Sequence, residues 1–469
     1  MSPPPPPPPP SLSAPALAGP SRLAPLPRPG TEGPARAATP RAAVSPGPSP
    51  DWTSLHAPVR ALLAGEPFLG RVAIERARVH APRLGLGVVA CVPARNEADR
   101  LPRALEALAA SLDRLGEPAG ILVLVNNTRD GSADAAWDWA RRGGHAVAVV
   151  EARLAAGIAN AGHARRLALD LGHLVARPDA VLLTTDADTR VARDWASRLV
   201  GHVRAGAGAA AGMIDVEPRE FAALPRSVHE VERAERALFR EHARTWRLIV
   251  PDDPPALALR VGGASLAVSA AAYGRVGGMP ALATCEDRAM VARMIEHDEG
   301  VAFDDRALIH TSCRLDGRAD GGMAGMLRRR VTEPDPCCDE ALHEASGFAL
   351  RCLAWRALRG TVDAPTRRRI AGRLGCDPHL LEPGPSHGRR WTALLGALPV
   401  RPPLLASEVR REIGRARALR RALAAEGPMA GAEGGRAVVE AVLRYLGPGE
   451  GAGASGRPGA CDEREVVHA

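Results

Sequence analysis

Residues 181–188, Val-Leu-Leu-Thr-Thr-Asp-Ala-Asp, run apolar for the length of a strand and then stop on two carboxylates one residue apart. A short apolar run followed at once by polar residues suits a central strand of a parallel sheet better than a helix. Asp186 and Asp188 then sit at the carboxyl end of that strand, the end at which open α/β sheets bind ligands. Two Asp side chains leaving a strand there can reach one hard cation together, with a diphosphate filling its remaining positions. Taken alone, the same pair reads as an Asx turn in which one carboxylate caps the next helix. A second acidic pair, Glu286 and Asp287, follows the glycine turn Gly277-Gly278 and opens a predicted helix, where acids also complement the helix dipole. Arg314 and Arg318 share a glycine-containing loop. Arginine suits bidentate contact with a diphosphate, although a chain this rich in arginine places solvated ones on loops as well.

The elements that must position these groups form a regular series. Strands are predicted over 88–92, 121–125, 146–150 and 180–183. Between them run helices, the first marked by the stripe Leu101, Leu105, Leu108 and Leu112. Such alternation is the signature of a doubly wound parallel sheet, and right-handed crossovers put every strand's carboxyl end on one rim. The chain has only four Asn, at Asn96, Asn126, Asn127 and Asn160, each at a strand end or beside a glycine. Several polar loops converging with Asp186 and Asp188 on one rim favour a ligand site over a stray turn. Further on, helices are expected over 193–203, 220–246 and 286–297, and strands over 207–214, 262–268 and 301–303.

Composition sets the domain plan. Of the 43 prolines, 18 lie in the first 50 residues, so 1–50 reads as a disordered, partly polyproline arm. Residues 51–86 are expected to be a helical lead-in, 87–327 the α/β domain, 328–446 a helical C-terminal region and 447–469 a disordered Gly-rich tail. All 61 basic residues are Arg, which looks like a coding preference of the gene rather than a functional choice. The charge of +8 is spread along the chain, and the clusters 328–330, 367–369 and 410–411 read as solvated helix faces. With aromatics at 3% there is little to stack bases, so a nucleic-acid groove is disfavoured, while an anionic small ligand or peripheral contact with an anionic membrane remains compatible. No apolar stretch approaches about 18 residues, so no transmembrane span is expected. The N-terminus lacks the basic start and apolar core of a signal peptide. Eight Cys without a C-x-x-C pair suit a reduced, cytoplasmic setting better than a disulfide framework.

Four motifs occur in order: Val92-Pro93-Ala94-Arg95-Asn96-Glu97, then Val125-Asn126-Asn127-Thr128-Arg129-Asp130-Gly131-Ser132, then Thr185-Asp186-Ala187-Asp188, then Gly277-Gly278 followed by Glu286-Asp287. Together they resemble glycosyltransferase family 2 over residues 87–320. The resemblance implies a GT-A fold, a mostly parallel sheet flanked by helices, with the C-terminal helices as an appendage. It implies a nucleoside-diphosphate sugar as donor and transfer with inversion to an acceptor hydroxyl that the sequence does not identify. By the same analogy Pro93, Arg95 and Glu97 line the nucleotide pocket and Asn126 or Asn127 lies near the base. Asp186 faces the ribose and Asp188 the metal, Mn2+ or Mg2+. Arg165 falls where the family often carries an Arg, and His310 where some members carry a metal-binding His. Many members have an acidic residue at Asn126-Asn127, which leaves the base open.

The chemistry agrees with the analogy. Breaking a sugar–diphosphate bond develops charge that a divalent cation neutralises, and an inverting displacement needs a general base on the opposite face of the sugar. Asp287 matches the family's usual base more closely than Glu286. A sugar-phosphate nucleotidyltransferase shares the sheet and carboxylate pair, but usually has a glycine-rich basic loop after its first strand, unlike 93–97. A non-catalytic nucleotide-sugar-binding or scaffold protein would be expected to have lost one of the two acidic pairs.

Overall fold

The computed structural model describes residues 56–81, 85–251, 253, 261–317, 322–425 and 431–447. The 1–50 arm, residues 448–469 of the tail, and Arg318 lie outside the described residues. The chain opens with α1 (His56–Leu63) and β1 (Val72–His80). The αβ series follows: β2 (Leu86–Ala94), α2 (Leu101–Leu112), β3 (Ala119–Asn126), α3 (Ser132–Arg142), β4 (Ala146–Leu154), α4 (Ala161–Val175) and β5 (Ala176–Thr184). Next come β6 (Arg190–Val191), α5 (Trp195–Arg204), β7 (Ala209–Val216), α6 (Pro218–Ala222), α7 (Arg226–Ile249), β8 (Leu266–Ser269), α8 (Ala270–Arg275), α9 (Glu286–Glu296) and β9 (Val301–Thr311). The C-terminal helices are α10 (Met323–Thr332), α11 (Ala345–Leu358), α12 (Ala364–Leu374), α13 (His387–Ala397), α14 (Ala406–Ala425) and α15 (Gly431–Tyr445).

One sheet runs in the order β1-β4-β3-β2-β5-β8-β7-β9-β6. Its β4-β3-β2-β5 block is parallel, as the alternation predicts. The rest is mixed, since β8 runs antiparallel to both neighbours and β1 antiparallel to β4. Val88, Ala90 and Val92 of β2 face α2, α3 and α5, while Val89 and Cys91 face α4, α8 and α9. Cover on both faces is why these strands read as unbroken apolar runs.

Four expectations are corrected. The 51–86 lead-in is a short helix plus the edge strand β1, not a helical segment. Arg76 and Arg78 on that strand share Glu151 of β4, and such charges protect a sheet edge from pairing further. The strand predicted over 301–303 runs to Thr311, because a register shift opposite Gly212 lets β9 follow β7 for its whole length. The helix predicted over 220–246 is broken before Pro225 into α6 and α7. The Arg328–Arg330 cluster is not a solvated face throughout: Arg330 is 1% exposed and donates to Glu232 at 3.1 Å and Glu235 at 2.6 Å.

The 24-residue α7 joins the two halves. Its Trp246 and Ile249 enter the core made by α11 to α15, and Val231, Leu238 and Phe239 pack with α14. The helical region also reaches α9, where Gly388 of α13 sits so close that an added Cβ would lie 1.6 Å from the Ile295 carbonyl oxygen. Gly388→Ala therefore pushes α13 off α9 and should cost about 1–3 kcal/mol. Gly396→Ala on the same helix meets open space and should be neutral or stabilising by roughly 0.5–1 kcal/mol. Urea unfolding of both variants measures the contrast.

Candidate active site

The site is built around Arg165. Asn160 caps α4 by accepting from the His163 backbone N–H, and the helix then turns Arg165 into the interior at 6% exposure. Its Nε donates to Glu286 Oε1 at 2.9 Å and its Nη2 to Asp186 Oδ1 at 2.8 Å. Nη1 donates to Thr184 Oγ1 at 3.1 Å and to the Gly263 carbonyl at 2.9 Å. One guanidinium thus ties α4, the end of β5, the entry to β8 and the start of α9. Desolvation opposes its charge, but Asp186 and Glu286 outweigh it and hold the pKa above the ordinary arginine value. Burial pushes the Glu286 carboxyl up, Arg165 pulls it down, and neighbouring Asp287 adds to the rise, which prevails.

Asp188 is held differently. Its Oδ2 lies 3.2 Å from Arg314 Nη2, and its Oδ1 accepts from Thr311 Oγ1 at 3.5 Å. Burial and then the charge of Asp186 push its carboxyl up to about 7, with Arg314 opposing and Glu97 adding to the rise. Arg314 also donates through Nη1 to Glu97 Oε2 at 3.0 Å, so it forks between the β2 loop and Asp188. The loop carrying Arg314 is pinned by Glu220, which accepts from Ser312 Oγ at 2.8 Å, the Cys313 N–H at 2.9 Å and Arg100 at 2.6 Å. Glu220, Arg100 and Thr311 had escaped the sequence reading, because partners 92 to 123 residues apart leave no local pattern.

The loops after β2 and β3 are stitched to each other. Asn96, in the left-handed region with φ 53°, accepts the Arg129 N–H at 2.7 Å, and its own N–H meets Thr128 Oγ1 at 2.8 Å. The Glu97 N–H donates to Ser132 Oγ at 2.7 Å. Asp130 accepts from Ala98 and Ser132, and these bonds hold its carboxyl below the ordinary value against desolvation. Asn127, with φ 47°, exchanges side-chain bonds with the Leu154 backbone at 2.9 and 3.0 Å. Its amide is occupied in joining β3 to β4, whereas Asn126 is buried beside it at the strand's last position. Arg95 donates to the Ala159 carbonyl at 3.1 Å, and Pro93 lies in β2 opposite Leu124.

Asp287 sits half-buried on the first turn of α9, after Cys285 at φ 59°. Its Oδ2 accepts the Gly263 N–H at 2.6 Å and its Oδ1 the Arg288 N–H at 2.7 Å. The fold therefore brings Glu97, Arg165, Asp186, Asp188, Glu286, Asp287 and Arg314 into one connected network. His310 stands in β9 opposite Asp215 of β7 and Arg190 of β6. Among the described residues no three His, Cys, Asp or Glu side chains converge as a metal cage. Residues that supply only one or two carboxylates fit Mg2+ or Mn2+ bound jointly with phosphate oxygens, and Asp188, desolvated and beside another carboxylate, is the group such a cation would relieve.

Residues 89–262 match the model of the family described as Glycosyl transferase family 2. This stretch is a glycosyltransferase family 2 domain, and the chain that carries it is a glycosyltransferase. Among solved structures, the mannosyltransferase PcManGT from Pyrobaculum calidifontis, in complex with GDP-Man and Mn2+, is 17% identical, with 77% of this chain and 87% of that chain covered and a TM-score of 0.37. TarS 1-349 of S. aureus in complex with UDP-GlcNAc is 12% identical, over 77% of this chain and 90% of that chain, at TM-score 0.37. Glucosyl-3-phosphoglycerate synthase from Mycobacterium tuberculosis, with Mn2+, UDP and phosphoglyceric acid, is 14% identical, over 54% of this chain and 80% of that chain, at TM-score 0.32. Comparison with curated proteins gives no match.

An acid whose folded pKa lies above its unfolded value binds protons more tightly when folded, so its ionisation lowers stability as pH rises between the two. For Asp188 that window runs from 3.8 to about 7. Without metal, Asp188→Asn should raise the melting temperature by about 2–4 °C or more at pH 8 and leave it nearly unchanged at pH 4, where both side chains are neutral. Thermal unfolding in EDTA at the two pH values checks this.

Proposed function

We infer that the chain is an inverting, divalent-cation-dependent glycosyltransferase of the GT-A type that moves a sugar from a nucleoside-diphosphate sugar to an acceptor hydroxyl. The observation that carries this reading is the single buried Arg165 that joins the Asp186 end of one acidic pair to the Glu286 end of the other. Asp188 and Asp287, the members that Arg165 does not bond, are then available, one for the donor and one for the acceptor.

In this reading Pro93, Arg95, Glu97 and Asn126 border the nucleotide and Asp186 lies on its ribose side. Asp188, with Asp186 beside it, would hold Mg2+ or Mn2+, which supplies Lewis-acid stabilisation of the leaving diphosphate. Arg314 turns from its carboxylates toward the diphosphate and adds a second positive charge. The acceptor oxygen attacks the anomeric carbon as its proton passes to Asp287, and the bond to the diphosphate oxygen breaks with its electron pair. Asp287 suits the base role better than Glu286, whose carboxylate is held in a buried ion pair. The reading gives His310 no role. No two cysteines among the described residues form a disulfide, and none of the described helices is long and apolar enough to cross a membrane.

Asp188→Ala should abolish Mn2+-dependent binding of UDP or GDP in calorimetry; undiminished affinity would remove Asp188 from the cation. Asp287→Asn should leave nucleotide affinity within about two-fold while release of nucleoside diphosphate from the donor falls by about 10²–10⁴. Retained turnover in that variant would move the base elsewhere.

A further inference from the structure

Between α7, α9, α11 and α13 lies a cavity of about 330 Å³, a size typical of small-molecule pockets. Trp246, Val291, Ile295, Phe348, Trp391 and Leu395 make its wall largely apolar. Three basic side chains also line it: Arg288, His343 and Arg351. Arg288 is satisfied, donating to Asp339 at 2.9 Å and pairing with Glu340. Burial, with Arg351 nearby, pushes His343 down to about 3, so it is neutral.

Arg351 is the exception. Among the described residues it makes no ion pair or side-chain hydrogen bond, and its charged neighbour is another cation, Arg401, which is engaged with Glu344 at 3.0 Å. A half-buried guanidinium with no counter-charge beside it offers an anion in the cavity an unopposed partner. Burial and then Arg401 draw its pKa below the ordinary arginine value. One guanidinium, unaided by other free cations, matches a singly charged carboxylate better than a dianionic phosphate.

Two residues of the cavity wall adjoin the segments that hold the candidate base. Arg288 and Val261 line it, and Asp287 accepts from the Arg288 N–H at 2.7 Å and from the N–H of Gly263, two residues past Val261, at 2.6 Å. We propose that this cavity is the acceptor pocket, taking a hydroxylated molecule with an apolar, ring-sized body and a carboxylate that pairs with Arg351. The acceptor role rests on the transferase reading above. The carboxylate pairs with Arg351 among the aromatic side chains, and the hydroxyl is presented toward Asp287.

A hydroxynaphthoate probe titrated into the full chain should quench the fluorescence of Trp246 and Trp391 saturably. Arg351→Met should weaken that binding by at least about ten-fold, and a naphthalenediol lacking the carboxylate should bind wild type and variant equally. Ala292→Trp, at an exposed position on the lip, should block the probe without touching Arg351, so the test survives a misfolded Arg351→Met. Affinity for UDP or GDP with Mn2+ should be unchanged in both variants. Probe affinity equal in wild type and Arg351→Met, or binding that survives Ala292→Trp, overturns the pocket. A wild-type chain that binds no nucleotide overturns the transferase reading and with it the acceptor role, while the probe still decides whether the cavity is a carboxylate site.

Discussion

The guanidinium of Arg165 is the constraint on which the rest of the site depends. Buried, it must be fully bonded, and it finds its four partners on three elements other than its own helix. Those elements can close around it only where side chains are missing. A Cβ on Gly263 would lie 2.5 Å from Arg165 Nε, and one on Gly162 would lie 2.0 Å from the Leu282 carbonyl oxygen. The two glycines are therefore demanded by close approach rather than by turn geometry, since neither has a positive φ. Removing one partner from such a network leaves an uncompensated buried charge, a far larger loss than the pair contributes by being present.

A second arginine repeats the logic nearer to solvent. Arg314 joins Glu97 to Asp188 as Arg165 joins Asp186 to Glu286. The two carboxylates of the Asp-x-Asp segment are thus shared between two different guanidinium groups. They are not equivalent: Asp186 has a bonded, buried cation, whereas Asp188 has a longer contact and feels Asp186 as a like charge. Their environments therefore differ, and burial together with the charge of Asp186 pushes the Asp188 carboxyl up.

Much of this was legible in the sequence. The parallel block and the rim followed from strand-length apolar runs alternating with helices, because both covered faces leave the same imprint on every strand. The acidic pairs were visible as short motifs. The Asn residues were visible too, but for a different reason from the one first suggested by their position: Asn96 and Asn127 occupy left-handed backbone and Asn160 caps a helix, three tasks for which a short polar side chain is suited. What stayed hidden was non-local. Nothing near Glu220 announces Ser312, and nothing near Arg330 announces Glu235. Edge strand β1 was hidden because its alternation is interrupted by a register shift between Ile74 and Arg76.

The family match ends at residue 262, before α9 begins, yet α9 carries the second acidic pair. Its first turn is drawn inward by Arg165 through Glu286. Its Arg288 is held by Asp339 and Glu340, ahead of α11. Its far end carries Gly388 of α13 against Ile295, and the Gly388 N–H donates to Asp298 at 2.7 Å just beyond the helix. The matched domain thus fixes only one end of the helix, and the C-terminal helices fix the other. Because Asp287 lies between these anchors, its placement depends on the C-terminal helices as much as on the sheet. The appendage is in this sense part of the site, and removing it would leave α9 attached chiefly through one buried ion pair and its apolar contacts with the sheet.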